Sequence, residues 1–285
     1  MFVKTYSPSH ITGFFEIRDN KNPLYKGSVG GGIVLEAGCV TEVSIRDDRP
    51  TKAGIIINGV EEEANTSKYV VERLAGKYEI AVSTDFEVPV GCGFGASGAG
   101  ALSTALALNE LLSLGMTLNE VAQIAHLAEV ESNTGLGDVI AETCGGVVIR
   151  RKPGPPGIGT IDKIPWRKEK ISYVVFGKKS TKAVLTDDSM KRRINEAGRA
   201  AMKELMREPT LEKFMLASRN FSLRSEVMSD KCRDAIEAVD AEGKVASVAM
   251  LGDTVFVIGD SEALKEFGEV KESTIADVGA RVIDY

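Results

Sequence analysis

The chain lacks several features that mark common classes of protein. None of its 285 residues falls in an uninterrupted apolar run of about 18 residues, so we expect no membrane span. The net charge of −6 disfavours binding to nucleic acid or to an anionic membrane through bulk electrostatic attraction. The segment Met1–Tyr6 lacks the long apolar core of a signal peptide. These absences predict a cytoplasmic protein with neither nucleic-acid nor membrane partners.

Cysteine is also scarce. The four cysteines, Cys39, Cys92, Cys144 and Cys232, are scattered without the spacing of a metal site. Such a distribution is typical of a reducing compartment. Cys92 lies inside a glycine-rich segment, where we interpret it as a small residue rather than a reactive thiol. The length is sufficient for two domains or one large domain.

The most informative feature that is present is this glycine-rich segment. Five glycines lie between Gly91 and Gly100, with no charged residue among them. A predicted strand over 78–84 precedes the segment, and a predicted helix over 101–112 follows it. Glycines let backbone N–H groups approach an anion, and the first turn of a helix offers N–H groups without partners. The segment therefore predicts a phosphate-binding loop, and a tight turn without a ligand is the alternative.

Two common phosphate-binding motifs do not fit. Residues 93–98 match G-x-G-x-x-G, but the dinucleotide motif requires an acidic residue about 20 positions later, after a second strand. That region is predicted to be helical. A Walker A loop ends in Gly-Lys-Ser/Thr, whereas no lysine lies between Lys77 and Lys152. A dinucleotide-dependent oxidoreductase is therefore a weak alternative.

A third pattern fits better. Residues 89–99, PVGCGFGASGA, resemble the P-x-x-x-G-L-G-S-S-A-A phosphate loop of the GHMP kinases, a superfamily that includes homoserine kinase and mevalonate kinase. Ala96 and Gly98 depart from the serine and alanine that are commonest there, and Ser97 retains the hydroxyl that lies near magnesium and the phosphates. The resemblance implies that ATP binds at Pro89, Gly91, Gly93, Phe94, Gly95, Ala96, Ser97 and Gly98.

A second predicted helix brings an acidic residue to the same region. Thr117 and Glu120 form a capping box at its start, and apolar residues at helical spacing mark one face as core. His126 and Glu129 are three positions apart, so they share a face. A solvated helix charge is the usual interpretation of Glu129, but this helix runs directly into the next motif, which favours a functional role.

That motif occupies residues 133–150. It resembles a GHMP kinase loop in which small residues and an aspartate precede a short helix and a Gly-Gly strand. The resemblance implies that Asp138 is the catalytic carboxylate, which orients the acceptor hydroxyl and accepts its proton. It also implies that Glu129 and Ser97 bind Mg²⁺, and carboxylate and hydroxyl oxygens suit that ion. Because Glu129 is closer to Asp138 than the equivalent residue in mevalonate kinases, Glu131 is an alternative ligand.

Four polar residues are candidates for contacts with the acceptor substrate. Arg150 suits a substrate carboxylate, because guanidinium binds carboxylate in a bidentate manner; a solvated charge is its alternative. The family resemblance adds Thr181, whose alternative is a helix N-cap. Ser28 and His126 are further polar contacts. Ser28 precedes the glycines at 30–32, which permit close approach of a ligand or another strand.

The N-terminal segment is expected to contain a turn. Residues 3–6 form a short strand candidate. Pro8 and Gly13 lie in the residues that follow, and both residue types favour a turn. Residues 7–16 resemble the first GHMP motif, which lines the active site in the family. We interpret His10 as a turn residue that holds backbone groups.

Within the superfamily, the motifs resemble those of the archaeal pantoate kinases. The segments SPSHITGFF, GSVGGG, AHLAE and TGLGDV carry this resemblance. It implies transfer of a phosphoryl group from ATP to the primary hydroxyl of pantoate, giving 4-phosphopantoate for coenzyme A synthesis. Two alternatives stay open: another GHMP small-molecule kinase, of the homoserine or mevalonate type, and a nucleotide-binding protein without kinase turnover.

The resemblance also implies the fold. We expect an α+β protein with the two-domain GHMP kinase fold and the active site in the cleft between its domains. Residues 1–158 would form an N-terminal domain like domain 2 of ribosomal protein S5, and residues 159–285 a ferredoxin-like domain. Residues 244–258 are predicted as strand, turn and strand in the place of the third motif, with Gly252 as their single glycine. A homodimer stays open.

Overall fold

Two β-sheets with α-helices packed on them make up the protein in this computed structural model, which describes residues 2–45, 54–179, 184 and 187–284. The strands are β1 (Phe2–Arg18), β2 (Gly27–Ile45), β3 (Ile55–Ile57), β4 (Val60–Glu62), β5 (Ile80–Phe86), β6 (Val147–Lys152), β7 (Thr160–Ile164), β8 (Lys170–Gly177), β9 (Ala246–Val248), β10 (Asp253–Ile258), β11 (Lys271–Thr274) and β12 (Arg281–Asp284). The helices are α1 (Asn65–Leu74), α2 (Ala96–Leu111), α3 (Leu118–Ser132), α4 (Asp138–Glu142), α5 (Asp188–Leu205), α6 (Leu211–Ser225) and α7 (Asp230–Ala241).

The larger sheet is built around a long hairpin. β1 and β2 pair in antiparallel fashion from Phe2 opposite Ser44 to Arg18 opposite Gly27. The later half of β2 also pairs with β5, and its earlier half pairs with β6. β12 pairs with β1, β3 pairs with β4 and β5, and β7 pairs with β6. The hairpin thus brings together strands from widely separated parts of the chain.

The turn expected over residues 7–16 is wrong. β1 continues through this segment, with register shifts after Pro8 and after Thr12. Proline is tolerated in a strand at a bulge, and a bulge bends a strand rather than ending it. His10 is therefore a buried strand residue, and its interpretation as a turn residue is also wrong.

Helix α2 lies at the centre of the larger sheet's helical layer. It packs against β1 and β2 and is flanked by α1 and α3. Its residues are small or apolar and are buried on nearly all sides, as expected of a central helix. The predicted capping box is confirmed at the start of α3, where Glu120 N–H donates to Thr117 Oγ1 and Thr117 N–H donates to Glu120 Oε2.

The smaller sheet is antiparallel, in the order β11-β8-β10-β9. Helices α5 and α6 pack against β1, and α6 and α7 pack against β9. One hydrophobic core fills the space between this sheet, its helices and the half of the β1–β2 hairpin nearest its turn. A second core lies beneath α1 to α3. The arrangement confirms an α+β fold, and β9 and β10 confirm the strand, turn and strand expected over 244–258.

The division of the chain at residue 158 stays a prediction. β7 and β12 follow that residue but pair in the larger sheet with β6 and β1. The proline- and glycine-rich residues 153–159 connect β6 to β7, two strands that pair with each other. Across the described ranges, no helix combines the length and the apolar character required to cross a bilayer.

Candidate active site

A cavity of about 350 Å³ brings most of the predicted site residues together. It is bordered by β1, β2, the glycine-rich loop, the loop before α4 and β6. The predicted residues that line it are Ser28, Gly91, Gly93, Phe94, Gly95, Ala96, Ser97, Asp138 and Arg150. Pro89 and Gly98 belong to the same loop but do not line the cavity. Thr12 and Lys179 line it as well, although the sequence did not single them out.

The loop depends on backbone conformations that favour glycine. Gly91, Gly93 and Gly95 have φ angles of 83°, 94° and 63°, in the region that other L-residues rarely adopt. α2 begins directly after Gly95, and no side chain hydrogen-bonds to its first turn as an N-cap. Such a helix start offers amide donors and a positive dipole end to a phosphate group.

Packing anchors this loop on two sides. The N–H of His10 donates to the carbonyl of Phe94 at 3.0 Å, and Thr254 Oγ1 donates to the carbonyl of Cys92 at 2.8 Å. A Cβ on Gly252 would lie 2.0 Å from that Cys92 oxygen, so this glycine is required by packing. Burial raises the pKa of the Cys92 thiol, and Cys92 is 3% exposed, which agrees with its interpretation as a small residue.

Gly95→Ala is expected to weaken ATP binding. The Cβ would lie 2.6 Å from Glu142 Oε1, and a φ of 63° is unfavourable for alanine, by about 1–2 kcal/mol. Gly115→Ala is the matched control, because Gly115 has a φ of 68° and nothing within 4 Å of an added Cβ. We expect the KM for ATP to rise about tenfold in Gly95→Ala alone. Steady-state kinetics and thermal melting measure this, and equal effects of the two variants would contradict it.

Asp138 lies at the first position of α4 and faces the cavity. Its Oδ1 is 2.8 Å from Nδ1 of His10 and 3.5 Å from Thr12 Oγ1. Its Oδ2 has no hydrogen-bond partner in the described part of the chain. Burial acts to raise the pKa of Asp138, but the His10 hydrogen bond and the Arg150 charge oppose it, and the pKa is lowered. Asp138 is thus ionised, with one oxygen held and the other able to accept a proton.

Glu129, on α3, supplies a second carboxylate. It is 1% exposed, and Thr134 Oγ1 donates to its Oε1 at 2.6 Å. Its Oε2 has no hydrogen-bond partner among the described residues. Burial, helped by the charge of Asp138, raises the pKa of Glu129 to about 7, although the hydroxyls of Thr134 and Ser97 act to lower it. A buried carboxylate oxygen without a partner, beside a serine hydroxyl, fits Mg²⁺. Glu131 is exposed, so Glu129 is the buried carboxylate of the two, and its role as the Mg²⁺ ligand stays a prediction.

A third carboxylate, Glu142, was missed by the sequence analysis. It is fully buried, and neither of its oxygens has a hydrogen-bond partner within the part of the chain that the structure describes. A Cβ on Gly98 would lie 3.0 Å from Glu142 Oε2 and 3.4 Å from Glu129 Oε2. Burial, followed by the charges of Asp138 and Glu129, raises the pKa of Glu142 well above its ordinary value. Its position four residues after Asp138, on the same helical face, is the one sequence signal that points to it.

Glu142→Gln is expected to stabilise the protein near neutral pH. An unfolded glutamic acid loses its proton near pH 4.3, whereas the raised pKa keeps the proton on Glu142 in the folded protein, so stability falls as the pH rises above about 4.3. Glutamine does not titrate, so the substitution restores about 1.4 kcal/mol for each unit by which folding raises the pKa of Glu142, and Tm should rise near neutral pH. At about pH 3 the acid holds its proton in both states, and the two proteins should melt alike.

Thermal melting of Glu142→Gln and of the unmodified protein from about pH 3 to neutral pH, with a chelator present, measures the difference in Tm. Glu131→Gln is the matched control, because Glu131 is exposed and its removal should leave Tm unchanged at each pH. A Glu142→Gln variant that melts at or below the temperature of the unmodified protein near neutral pH would contradict the assignment of Glu142 as a buried, destabilising acid.

No group of three or more His, Cys, Asp or Glu within the described ranges is arranged to hold a metal ion.

Arg150, on β6, is 1% exposed and forms no ion pair with the described residues. Its Nη1 donates to His10 Nε2 at 3.4 Å, and none of the described residues hydrogen-bonds to its Nε. A Cβ on Gly137 would lie 2.6 Å from Arg150 Nε and 2.5 Å from Ser28 Oγ, so these two donors converge at one side of the cavity. Burial lowers the pKa of Arg150 to about 10, against the effect of Asp138, and the guanidinium stays charged at neutral pH. Such a group is suited to bind an anion.

The other two predicted substrate contacts are not seen at the cavity. His126 is buried on α3, where its Nε2 lies 3.0 Å from the carbonyl oxygen of Lys26 and 3.3 Å from that of Pro23. It does not line the cavity, and its contact with the acceptor stays a prediction. Thr181 lies outside the described residues.

Known proteins resemble this chain over nearly its full length. Residues 63–146 match the family described as GHMP kinases N terminal domain. The chain is 38% identical over 274 residues to the pantoate kinase of Thermococcus kodakarensis, covering 93% of this chain and 90% of that one. It is 37% identical over 268 residues to the pantoate kinase of Methanocaldococcus jannaschii, covering 92% and 94%. A solved structure described as a phosphotransferase related to the CoA biosynthesis pathway matches with a TM-score of 0.89 and 32% identity, covering 100% and 99%. The chain therefore belongs to the pantoate kinase family of the GHMP kinases.

Proposed function

We propose that the protein transfers the terminal phosphoryl group of ATP to the primary hydroxyl of pantoate, giving 4-phosphopantoate for coenzyme A synthesis. The observation that supports this most is the state of Arg150, a buried guanidinium that has no ion pair among the described residues. It lines the same cavity as Asp138. Pantoate carries a carboxylate, which Arg150 can bind in a bidentate manner, with Ser28 Oγ as an adjacent donor.

Asp138 would act as the general base of this reaction. Its Oδ1 is held by His10 and its Oδ2 is free to accept the proton of the acceptor hydroxyl. The hydroxyl oxygen then forms a bond to the terminal phosphorus, the bond from that phosphorus to the ADP oxygen breaks, and ADP leaves. The amide groups of the glycine-rich loop and the start of α2 would hold the phosphates.

Glu129 and Ser97 would hold Mg²⁺. The buried Oε2 of Glu129 has no hydrogen-bond partner in the described ranges, and the Ser97 hydroxyl is close enough to affect the pKa of Glu129. The ion would neutralise negative charge on the phosphates. Burial raises the pKa of Glu129, and a bound cation would lower it again by favouring the ionised carboxylate.

A direct test is ADP release with Mg-ATP in the presence of pantoate, mevalonate, homoserine, shikimate or galactose. We expect turnover with pantoate alone. Turnover with a different acceptor would support phosphoryl transfer but contradict the assignment of pantoate as the acceptor. Tight binding of ATP without turnover of any acceptor would instead favour a nucleotide-binding protein. A cytoplasmic location and the absence of nucleic-acid and membrane partners stay predictions from composition, and light scattering would test for a homodimer.

A further inference from the structure

His10 connects Asp138 to Arg150 without lining the cavity. Its side chain is 0% exposed. Its Nδ1 lies 2.8 Å from Asp138 Oδ1, and its Nε2 lies 3.4 Å from Arg150 Nη1. Gly32 makes room for the ring, because a Cβ there would lie 2.0 Å from His10 Nε2. A buried imidazole in this place cannot touch a substrate, so any effect on the reaction must act through its two neighbours.

The two neighbours determine which ring nitrogen carries the proton. A guanidinium only donates hydrogen bonds, so the Nε2 that faces Arg150 must accept. An ionised carboxylate only accepts, so the Nδ1 that faces Asp138 must donate. A neutral ring with its proton on Nδ1 satisfies both contacts. A charged ring would place an N–H group against the N–H of Arg150.

We propose that His10 is a positioning residue, and that its Nδ1–H tautomer holds the general base and the substrate-binding guanidinium in one arrangement. Donation from Nδ1 fixes Asp138 Oδ1 and leaves Oδ2 for the acceptor hydroxyl. Acceptance at Nε2 holds Arg150 Nη1 and leaves Arg150 Nε beside Gly137, where Ser28 Oγ also lies. The roles of Asp138 and Arg150 rest on the proposed function, whereas the tautomer of His10 does not.

Nitrogen NMR of the protein labelled with ¹⁵N-histidine tests the tautomer directly. The chain contains two histidines, and the structure gives them opposite tautomers. His126 Nε2 faces two carbonyl oxygens, so its proton belongs on Nε2. We expect one ring of each kind, and the signals with the proton on Nδ1 should vanish in His10→Asn. An Nε2–H or doubly protonated His10 would overturn the proposal.

Two variants separate the two contacts of the ring. The amide nitrogen of asparagine can replace Nδ1 as a donor to Asp138, but the side chain is too short to reach Arg150. The amide oxygen of glutamine can replace Nε2 as an acceptor from Arg150, but no donor remains for Asp138. His10→Asn should keep kcat within about threefold and raise the KM for the acceptor, whereas His10→Gln should lower kcat by about 10–100-fold.

The outcomes distinguish this proposal from the proposed function. An equal loss of kcat in both variants, together with equal loss of Tm, would assign His10 to packing alone and overturn its positioning role. Unchanged kinetics in both variants would overturn it too. If the protein phosphorylates an acceptor other than pantoate, the same comparison is made with that acceptor. If no acceptor is phosphorylated, the proposed function fails, and the NMR result alone decides the tautomer on which the positioning role depends.

Discussion

Asp138→Asn is expected to lower kcat by about 10²–10⁴-fold. The amide keeps the shape of the side chain and can still accept from His10 at Oδ1, but it cannot take a proton from the acceptor hydroxyl. The KM for ATP should change little, because the glycine-rich loop does not depend on the Asp138 charge. Steady-state kinetics with Mg-ATP and a saturating acceptor measure the effect.

Asp234→Asn is the matched control for this substitution. Asp234 is exposed on α7 and does not line the cavity, so its charge can be removed without changing the lining of the site. Melting curves of the two variants establish that both are folded. Loss of a general base typically lowers kcat by about 10²–10⁴-fold. If kcat for Asp138→Asn stayed within about threefold of the unmodified protein, Asp138 would not be the general base.

Arg150→Met is expected to lower kcat/KM for an acid acceptor by about 10²–10³-fold, because truncating one member of a buried charge pair costs about 2–5 kcal/mol. Methionine fills the volume without leaving a charge in the buried position. The effect should be small on the KM for ATP and large on the KM for the acceptor. Arg151→Met is the matched control, since Arg151 is the next residue along β6 and is exposed.

A neutral analogue of the acceptor makes this test specific to charge. The carboxamide of pantoate lacks the anionic group, so we expect the unmodified protein to prefer the acid strongly. In Arg150→Met the preference for the acid over the carboxamide should nearly disappear, because the variant has no guanidinium to bind the carboxylate. An undiminished preference for the acid in Arg150→Met would show that another group binds the carboxylate, and Lys179, which also lines the cavity, would be the next residue to replace.

Local sequence patterns were sufficient for the parts of the site that are built from consecutive residues. The glycines at 91, 93 and 95 predict a loop because each needs a backbone conformation that glycine favours. The capping box at Thr117 predicts the start of α3 for a similarly local reason. Both features depend on residues within one turn of each other, so no knowledge of the rest of the fold is required.

The residues that were missed depend on contacts between distant segments. His10 sits between a proline and a glycine, a pattern that favours a turn, yet pairing with β2 keeps β1 extended. Glu142 carries an ordinary helix charge in the sequence, and it is buried because α4 packs against α2, α3 and β1. Such long-range pairing outweighs local propensity, and it is not visible in a window of neighbouring residues.

The pairing of β12 with β1 has a consequence for synthesis of the chain. The edge of β1 that carries Lys4 to Tyr6 is completed by residues 281–284, which leave the ribosome on the order of tens of seconds later at bacterial to eukaryotic elongation rates. Until then this edge presents unpaired backbone groups, a template for association with other nascent chains. This edge of β1 is therefore completed only after the residues between it and β12 have been made.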